Sequence, residues 1–208
     1  MPSLGRLHLI TDTRPGRDPL AVLRAALPVA RTELVVQVRV LDDATDREAY
    51  DLACRIVAMC ATYGATCLVN DRLHVALAAG AGGGHVGAGD LPVDAARRVL
   101  GPTAVLGATS REPVTAAAAV AAGATYLGVG PYRSTTTKDG LPPAIGVAGV
   151  RAVAEAVPVP VIAIGGVTVA DVAALRAAGA YGVAVVGALS GAADPARATA
   201  ELLGALTC

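Results

Sequence analysis

Phenylalanine and tryptophan are absent from the 208 residues, and five tyrosines bring the aromatic share to only 2%. Proteins that stack nucleobases use flat side chains, and this chain has few to offer. An excess of either charge is missing too, because 17 acidic residues balance 17 basic ones. That balance gives no electrostatic case for DNA or RNA as a partner. No apolar run reaches about 18 residues without a charge or a glycine break, so no membrane span is expected. The opening Met1-Pro2-Ser3-Leu4 lacks the charged and then apolar stretch of a secretory leader. The four cysteines (Cys54, Cys60, Cys67 and Cys208) form neither a C-x-x-C pair nor a metal-ligand spacing. Buried reduced thiols in a cytoplasmic protein are the expectation.

Familiar catalytic motifs are also missing. There is no G-x-S-x-G, H-E-x-x-H or P-loop, and Gly128-Val129-Gly130-Pro131 fails the dinucleotide fingerprint. Hydrolase triads and nicotinamide binding drop away. Lysine is almost absent: of 17 basic residues only Lys138 is a lysine. It ends the loop Gly128 to Lys138, which also holds three consecutive threonines, Thr135, Thr136 and Thr137. Glycine lets backbone approach a ligand, hydroxyls donate to phosphate oxygens, and an ammonium supplies a point charge. The loop reads as a phosphate contact or as a polar surface turn.

Hydrophobic residues make up 54% of the chain and charged ones 16%, ample for a core built from Val, Leu, Ile and Ala. Short apolar runs alternate with Ala/Leu/Arg segments of helical period. Strands are expected at 7–11, 34–39, 66–70, 83–86, 104–108, 125–129, 161–164 and 182–186. Helices are expected at 19–31, 46–62, 72–79, 92–100, 112–122, 147–156, 169–178 and from 195 onward. Asp18 before Pro19, and Asp194 before Pro195, are expected caps. About eight strand–helix units in about 200 residues suit an α/β (β/α)8 TIM barrel forming one domain over residues 1–208. An open doubly wound sheet is the rival.

In a barrel the strand ends converge on one face. The polar residues there are Gln37, Arg39, Asn70, Asp71, Asp90, Thr109, Thr135 to Lys138, and Gly165-Gly166. Asp71 and Asp90 are candidate ligands for Mg²⁺, which accepts one or two carboxylates plus substrate phosphates. Either could instead cap the helix that follows it. Arg39, within an apolar strand, requires an anionic partner, either a structural carboxylate or a ligand phosphate. Gly166 before a helix and the turn at Val186-Gly187 are candidate phosphate sites at helix N-termini, or simply eased turns. His8 and His85 lie on strands and read more readily as packed than as catalytic; His74 falls on a helix.

In this order the motifs resemble the thiamine-phosphate synthase (thiamine-phosphate pyrophosphorylase) family from about Leu7 to Leu206. They are Leu9-Ile10-Thr11-Asp12, Gln37-Val38-Arg39, Asn70-Asp71-Arg72, His85-Val86-Gly87 with Asp90, Gly130-Pro131 through Lys138, Ala163 to Gly166, and Gly182 to Val186. The resemblance implies a transferase that joins an aminopyrimidine diphosphate to a thiazole phosphate and releases pyrophosphate. It implies that Arg39, Asn70 and Lys138 hold the diphosphate, with Thr109 where the family usually has serine. Gln37 would face the pyrimidine, and Asp71 and Asp90 would hold Mg²⁺. Thr135, Thr137, Gly166 and the Val186-Gly187 turn would hold the thiazole phosphate, beside Thr136. Partners would be these small molecules, with a homo-oligomer left open.

The chain departs from the family pattern at three places. Leu41 stands for a lysine, Ala88 for a glutamine and Gly187 for a serine. Arg133, in the loop, is the candidate to replace the lost charge. Two alternatives remain in view. The sister thiazole tautomerases use a histidine after the fifth strand, where this chain has Thr109 to Glu112. A non-catalytic binder of a thiazole or thiamine phosphate would need the phosphate loop alone.

Overall fold

A computed structural model describes residues 4–135 and 140–207. Eight strands close into a barrel in sequence order: β1 (Leu7–Ile10), β2 (Leu34–Val38), β3 (Thr66–Asn70), β4 (Gly83–Val86), β5 (Val105–Ser110), β6 (Tyr126–Val129), β7 (Val161–Ile164) and β8 (Gly182–Val185). All pairings are parallel, and β1 closes the ring by pairing with both β2 and β8. The open-sheet alternative is thereby excluded. The strands are nearly continuous apolar runs because both faces are covered, one by the barrel interior and one by helices. Ile10, Val35, Leu68, Tyr126, Ile162 and Ala184 fill the interior. A second, larger core lies between strands and helices.

The helices are α1 (Pro19–Ala30), α2 (Asp46–Tyr63), α3 (Leu73–Ala78), α4 (Val93–Leu100), α5 (Pro113–Ala121), α6 (Gly146–Ala156), α7 (Val172–Ala177), α8 (Gly187–Ser190) and α9 (Pro195–Thr207). Asp18 caps α1, accepting from the backbone N–H of Leu20 and Ala21 at 3.0 Å each. Asp194 caps α9 in the same way through Arg197 N at 3.0 Å. Thr45 and Glu48 form a reciprocal capping box on α2, and Gly64 ends that helix in the left-handed region.

Three expectations need adjustment. Residues 169–171 form a separate turn of 3-10 helix, because Asp171 folds back onto Thr168 before α7 begins. Strand β5 runs two residues past its expected end and so carries Thr109 itself. The four-residue α8 was not anticipated, since its Gly-Ala-Leu-Ser sequence has no helical period to read. No helix among the described residues is long and apolar enough to cross a membrane.

Candidate active site at the strand ends

The strand ends open into one cleft of about 510 Å³, a volume typical of small-molecule sites. Gln37 and Arg39 enter it from the end of β2, Asn70 and Asp71 from β3, and Thr109 from β5. Thr135, Gly166, Val186 and Gly187 line it from the loops after β6, β7 and β8. Residues more than 140 positions apart in sequence thus share one wall, as the barrel requires. Thr136, Thr137 and Lys138 lie outside the described residues.

At the β2–β3 corner the Gln37 amide Nε2 donates to Asn70 Oδ1 at 2.6 Å. That bond commits one end of each amide, leaving the Gln37 carbonyl as an acceptor and the Asn70 amino group as a donor. Arg39 follows directly after β2, and its backbone is gripped by Thr11, whose hydroxyl accepts from Arg39 N at 2.8 Å and donates to Arg39 O at 2.7 Å. Among the described residues no carboxylate pairs with the Arg39 guanidinium.

Asp71 adopts a left-handed backbone, φ 61°, while its N–H donates to His85 O at 2.8 Å. Aspartate tolerates this region better than most residues. The cap reading of both aspartates fails: α3 begins after Arg72 and α4 after Pro92, neither with a side-chain cap bond. Asp90 is exposed and does not line the cleft; its Oδ2 accepts from Gly87 N at 2.7 Å. Gly87 does line it, so Asp90 shapes the β4 turn beside Asp71's own loop. No group of three or more His, Cys, Asp or Glu among the described residues is arranged around a metal position. Two oxygen-bearing carboxylates on neighbouring loops fit a hard cation that completes its shell with substrate phosphate and water. They would not suffice for zinc.

The floor is a buried polar chain. His85 Nδ1 shares a hydrogen bond with the Tyr126 hydroxyl at 2.9 Å, and its Nε2 shares one with Thr109 Oγ1 at 3.0 Å. Gly107 makes this packing feasible, since a Cβ there would collide with both the Tyr126 ring and the His85 imidazole. His8 packs against Tyr126 with ring centroids 5.1 Å apart. Burial, reinforced by the neighbouring His85, pushes the His8 imidazole down to about 3, so it stays neutral. Burial likewise raises the Tyr126 phenol. Both histidines are buried and both border the cleft, where His85 anchors the Thr109 hydroxyl.

The opposite wall is built where the β6 loop lies across the end of β7. Tyr132 N donates to Ile164 O at 2.7 Å and Arg133 N to Gly165 O at 2.9 Å. Gly166 turns beneath them at φ 67°, and a Cβ there would come within 2.9 Å of Arg133 Cβ. Arg133, the candidate to stand in for a cation at Leu41, is engaged elsewhere. Its guanidinium pairs with Asp171 at 2.7 Å and stacks on the Tyr132 ring, and it does not line the cleft. Burial alone would raise the Asp171 carboxyl; hydrogen bonds from the Thr168 backbone and hydroxyl, with Arg133 and Tyr132, more than offset it and hold it low.

A sequence model of the family described as thiamine monophosphate synthase matches residues 7–189. The chain belongs to the thiamine monophosphate synthase family. A thiamine-phosphate synthase of Salinispora arenicola is 76% identical over 208 residues, covering 100% of both chains. One from Anaeromyxobacter dehalogenans is 44% identical over 96% of this chain and 86% of its own. Among solved structures, a thiamine phosphate pyrophosphorylase from Pyrococcus furiosus superposes with a TM-score of 0.86 at 33% identity, covering 97% of this chain and 95% of that one.

One further cleft residue has no motif to mark it in the sequence. Arg111 lines the cleft two residues beyond Thr109. Its NH2 donates to Pro143 O at 2.6 Å, while its buried Nε has no partner among the described residues. The signal was present as a period of two: Val105, Gly107 and Thr109 face inward, and Arg111 continues the series past the strand. A strand ending at residue 108, as the apolar run alone suggests, hides it.

Proposed function

We propose that this cleft joins 4-amino-2-methyl-5-hydroxymethylpyrimidine diphosphate to a thiazole phosphate, forming thiamine phosphate and releasing pyrophosphate. The observation that carries this reading is the convergence of Gln37, Arg39, Asn70, Asp71 and Thr109 with Gly166 and Gly187 on one cavity wide enough for two heterocycles. Arg39, the Asn70 amino group and the Thr109 hydroxyl form a donor set for the diphosphate. Arg111 is the second cation, in the role vacated at Leu41. The Gln37 carbonyl accepts from the pyrimidine's exocyclic amine.

Asp71 and Asp90 would hold Mg²⁺, which when bound would offset charge on the departing diphosphate. Arg39 and Arg111 stabilise the same developing charge from fixed positions, a contribution commonly of several kcal/mol per group, roughly as for other preorganised donors. The carbon–oxygen bond to the diphosphate breaks, and the thiazole nitrogen's lone pair forms the new carbon–nitrogen bond. That nitrogen carries no proton, so the chain needs no general base. Neither His85, committed to Tyr126 and Thr109, nor neutral His8 has to serve as one. Thr135, Gly166 and the Val186-Gly187 turn are the proposed thiazole phosphate contacts, joined by Thr136 and Thr137, while Lys138 is proposed to hold the diphosphate with Arg39. A cytoplasmic location follows the same reading.

Pyrophosphate release from the paired substrates, with and without Mg²⁺, tests the proposal. Release that needs both substrates and the metal is expected. Isomerisation of a thiazole precursor without pyrimidine diphosphate would instead identify a tautomerase, and binding with no turnover a carrier.

A further inference from the structure

We propose that Thr11 and Asp12, adjacent at the end of β1, are positioning residues for opposite halves of the cleft: Thr11 for the diphosphate side and Asp12 for the thiazole phosphate side. The inference rests on the synthase reading above. Neither residue lines the cleft, yet both are buried polar groups, which need a structural reason to be there. Strand β1 lies between β2, which leads to Arg39, and β8, which leads to Val186 and Gly187.

Thr11 faces the first neighbour. Beyond Val38 the β2 ladder has ended, and the Thr11 hydroxyl takes over by bonding both peptide groups of Arg39, at 2.8 and 2.7 Å. Thr11 N also donates to Gln37 O at 3.0 Å. One hydroxyl, used as donor and acceptor together, fixes the direction in which the Arg39 side chain leaves the backbone. Valine has the same shape and can make neither bond.

Asp12 faces the second neighbour. Its Oδ2 accepts from Ser190 Oγ at 2.8 Å, and Arg14 grips the carboxylate bidentately, Nε to Oδ1 at 2.8 Å and NH2 to Oδ2 at 2.7 Å. Arg17 lies 3.7 Å from the same carboxylate and donates to Ser190 O at 3.0 Å. Ser190 ends α8, and its N–H donates to Val186 O at 2.9 Å, directly on the cleft wall. A helix of four residues is far too short to hold itself together. Its geometry must come from outside, and the Asp12–Ser190 bond is one of its supports, beside the Arg17–Ser190 bond and the buried Leu189. The space between Asp12 and Ser190 is only about 10 Å³, so no substrate group enters there. The hydrogen bonds from Arg14 outweigh burial and keep the Asp12 carboxyl well below the usual range, so the latch stays charged across ordinary assay conditions.

The test is steady-state pyrophosphate release by the full-length protein, varying each substrate in turn, with thermal unfolding recorded for every variant. Thr11→Val should raise KM for the pyrimidine diphosphate about tenfold while leaving KM for the thiazole phosphate within about twofold, as for one lost contact to a charged group. Thr11→Ser, which keeps the hydroxyl, should restore the wild-type value. Asp12→Asn and Ser190→Ala should show the mirror image, with only the thiazole phosphate KM raised. If Asp12→Asn does not fold, Ser190→Ala carries that arm, since it deletes a single hydrogen bond. Folded variants in which both KM values move together, or neither moves, overturn the inference. A wild-type protein that releases no pyrophosphate overturns the synthase reading instead.

Discussion

The guanidinium of Arg133 sits 2.7 Å from the buried carboxylate of Asp171, and neither residue lines the cleft. This pair and the Tyr132 hydroxyl, which donates to the same carboxylate at 3.3 Å, tie the β6 loop to the start of α7. Arg133→Ala should therefore lower stability by about 1–2 kcal/mol, the cost of an under-bonded buried acceptor, and spare pyrimidine diphosphate affinity. Arg111→Ala should do the reverse, weakening that affinity roughly ten- to a hundredfold as expected for a lost charged contact of ~1.5–3 kcal/mol. Thermal unfolding and calorimetric titration with the diphosphate distinguish the two. Loss of affinity in the Arg133 variant alone would reverse the assignment.

Asp71 separates backbone tolerance from carboxylate chemistry. Asn accepts φ near 61° about as well as Asp does, so Asp71→Asn should unfold within a few degrees of wild type. It should nevertheless lose pyrophosphate release and its Mg²⁺ dependence. Asp71→Ala should lose the activity and also roughly 1 kcal/mol of stability from the left-handed backbone. An Asp71→Asn protein with full Mg²⁺-dependent turnover would remove Asp71 from the proposed metal site.

His8 gives the fold an acid limb. Its imidazole is lowered by burial and by His85 from 6.5 to about 3. Below about 6.5 the unfolded chain takes up a proton that the folded chain refuses. Stability must then fall as pH falls from about 6.5 toward 3, with a slope of up to about 1.4 kcal/mol per pH unit from this group. Denaturant unfolding of His8→Phe should show a slope shallower by about one proton over that window. Parallel curves for the two proteins would show that His8 is not the group responsible.

Gly166→Ala should be costly on two counts. Its φ of 67° disfavours any side chain, and the new Cβ would press on Arg133 Cβ and on Ser134 O, which lies 3.0 Å from it. A loss of about 1–3 kcal/mol is expected from strain of this kind, with a raised KM for the thiazole phosphate and little change for the pyrimidine diphosphate. Equal KM changes for both substrates would mean that the loop does not belong to one half of the cleft.

Much of this architecture is legible in the chain itself. Runs such as Leu34-Val35-Val36 and Val161-Ile162-Ala163 announce strands covered on both sides, and Asp18-Pro19 announces a helix start. The cleft's polar residues were legible because each ends such a run. What was hidden depended on partners far away in sequence. Arg133 looked available until Asp171 was seen to take it, and Asp90 looked like a helix cap until its carboxylate proved to hold Gly87. Thr11 and Asp12 gave no sign that one faces Arg39 and the other Ser190, because that depends on β1 having two neighbours in a closed ring. Length and periodicity cannot foretell which hydroxyl completes which backbone.

Because β1 pairs with β8 as well as with β2, the last strand to be synthesised is also the one that completes the hold on the first. The cleft takes residues from Gln37 round to Gly187, and the Asp12–Ser190 bond that braces its Gly187 side forms only once the ring shuts. A nascent chain emerging from the ribosome should thus remain unable to retain the thiazole phosphate until β8 is in place. Ligand capture would then report on closure itself, arriving in one step rather than growing unit by unit.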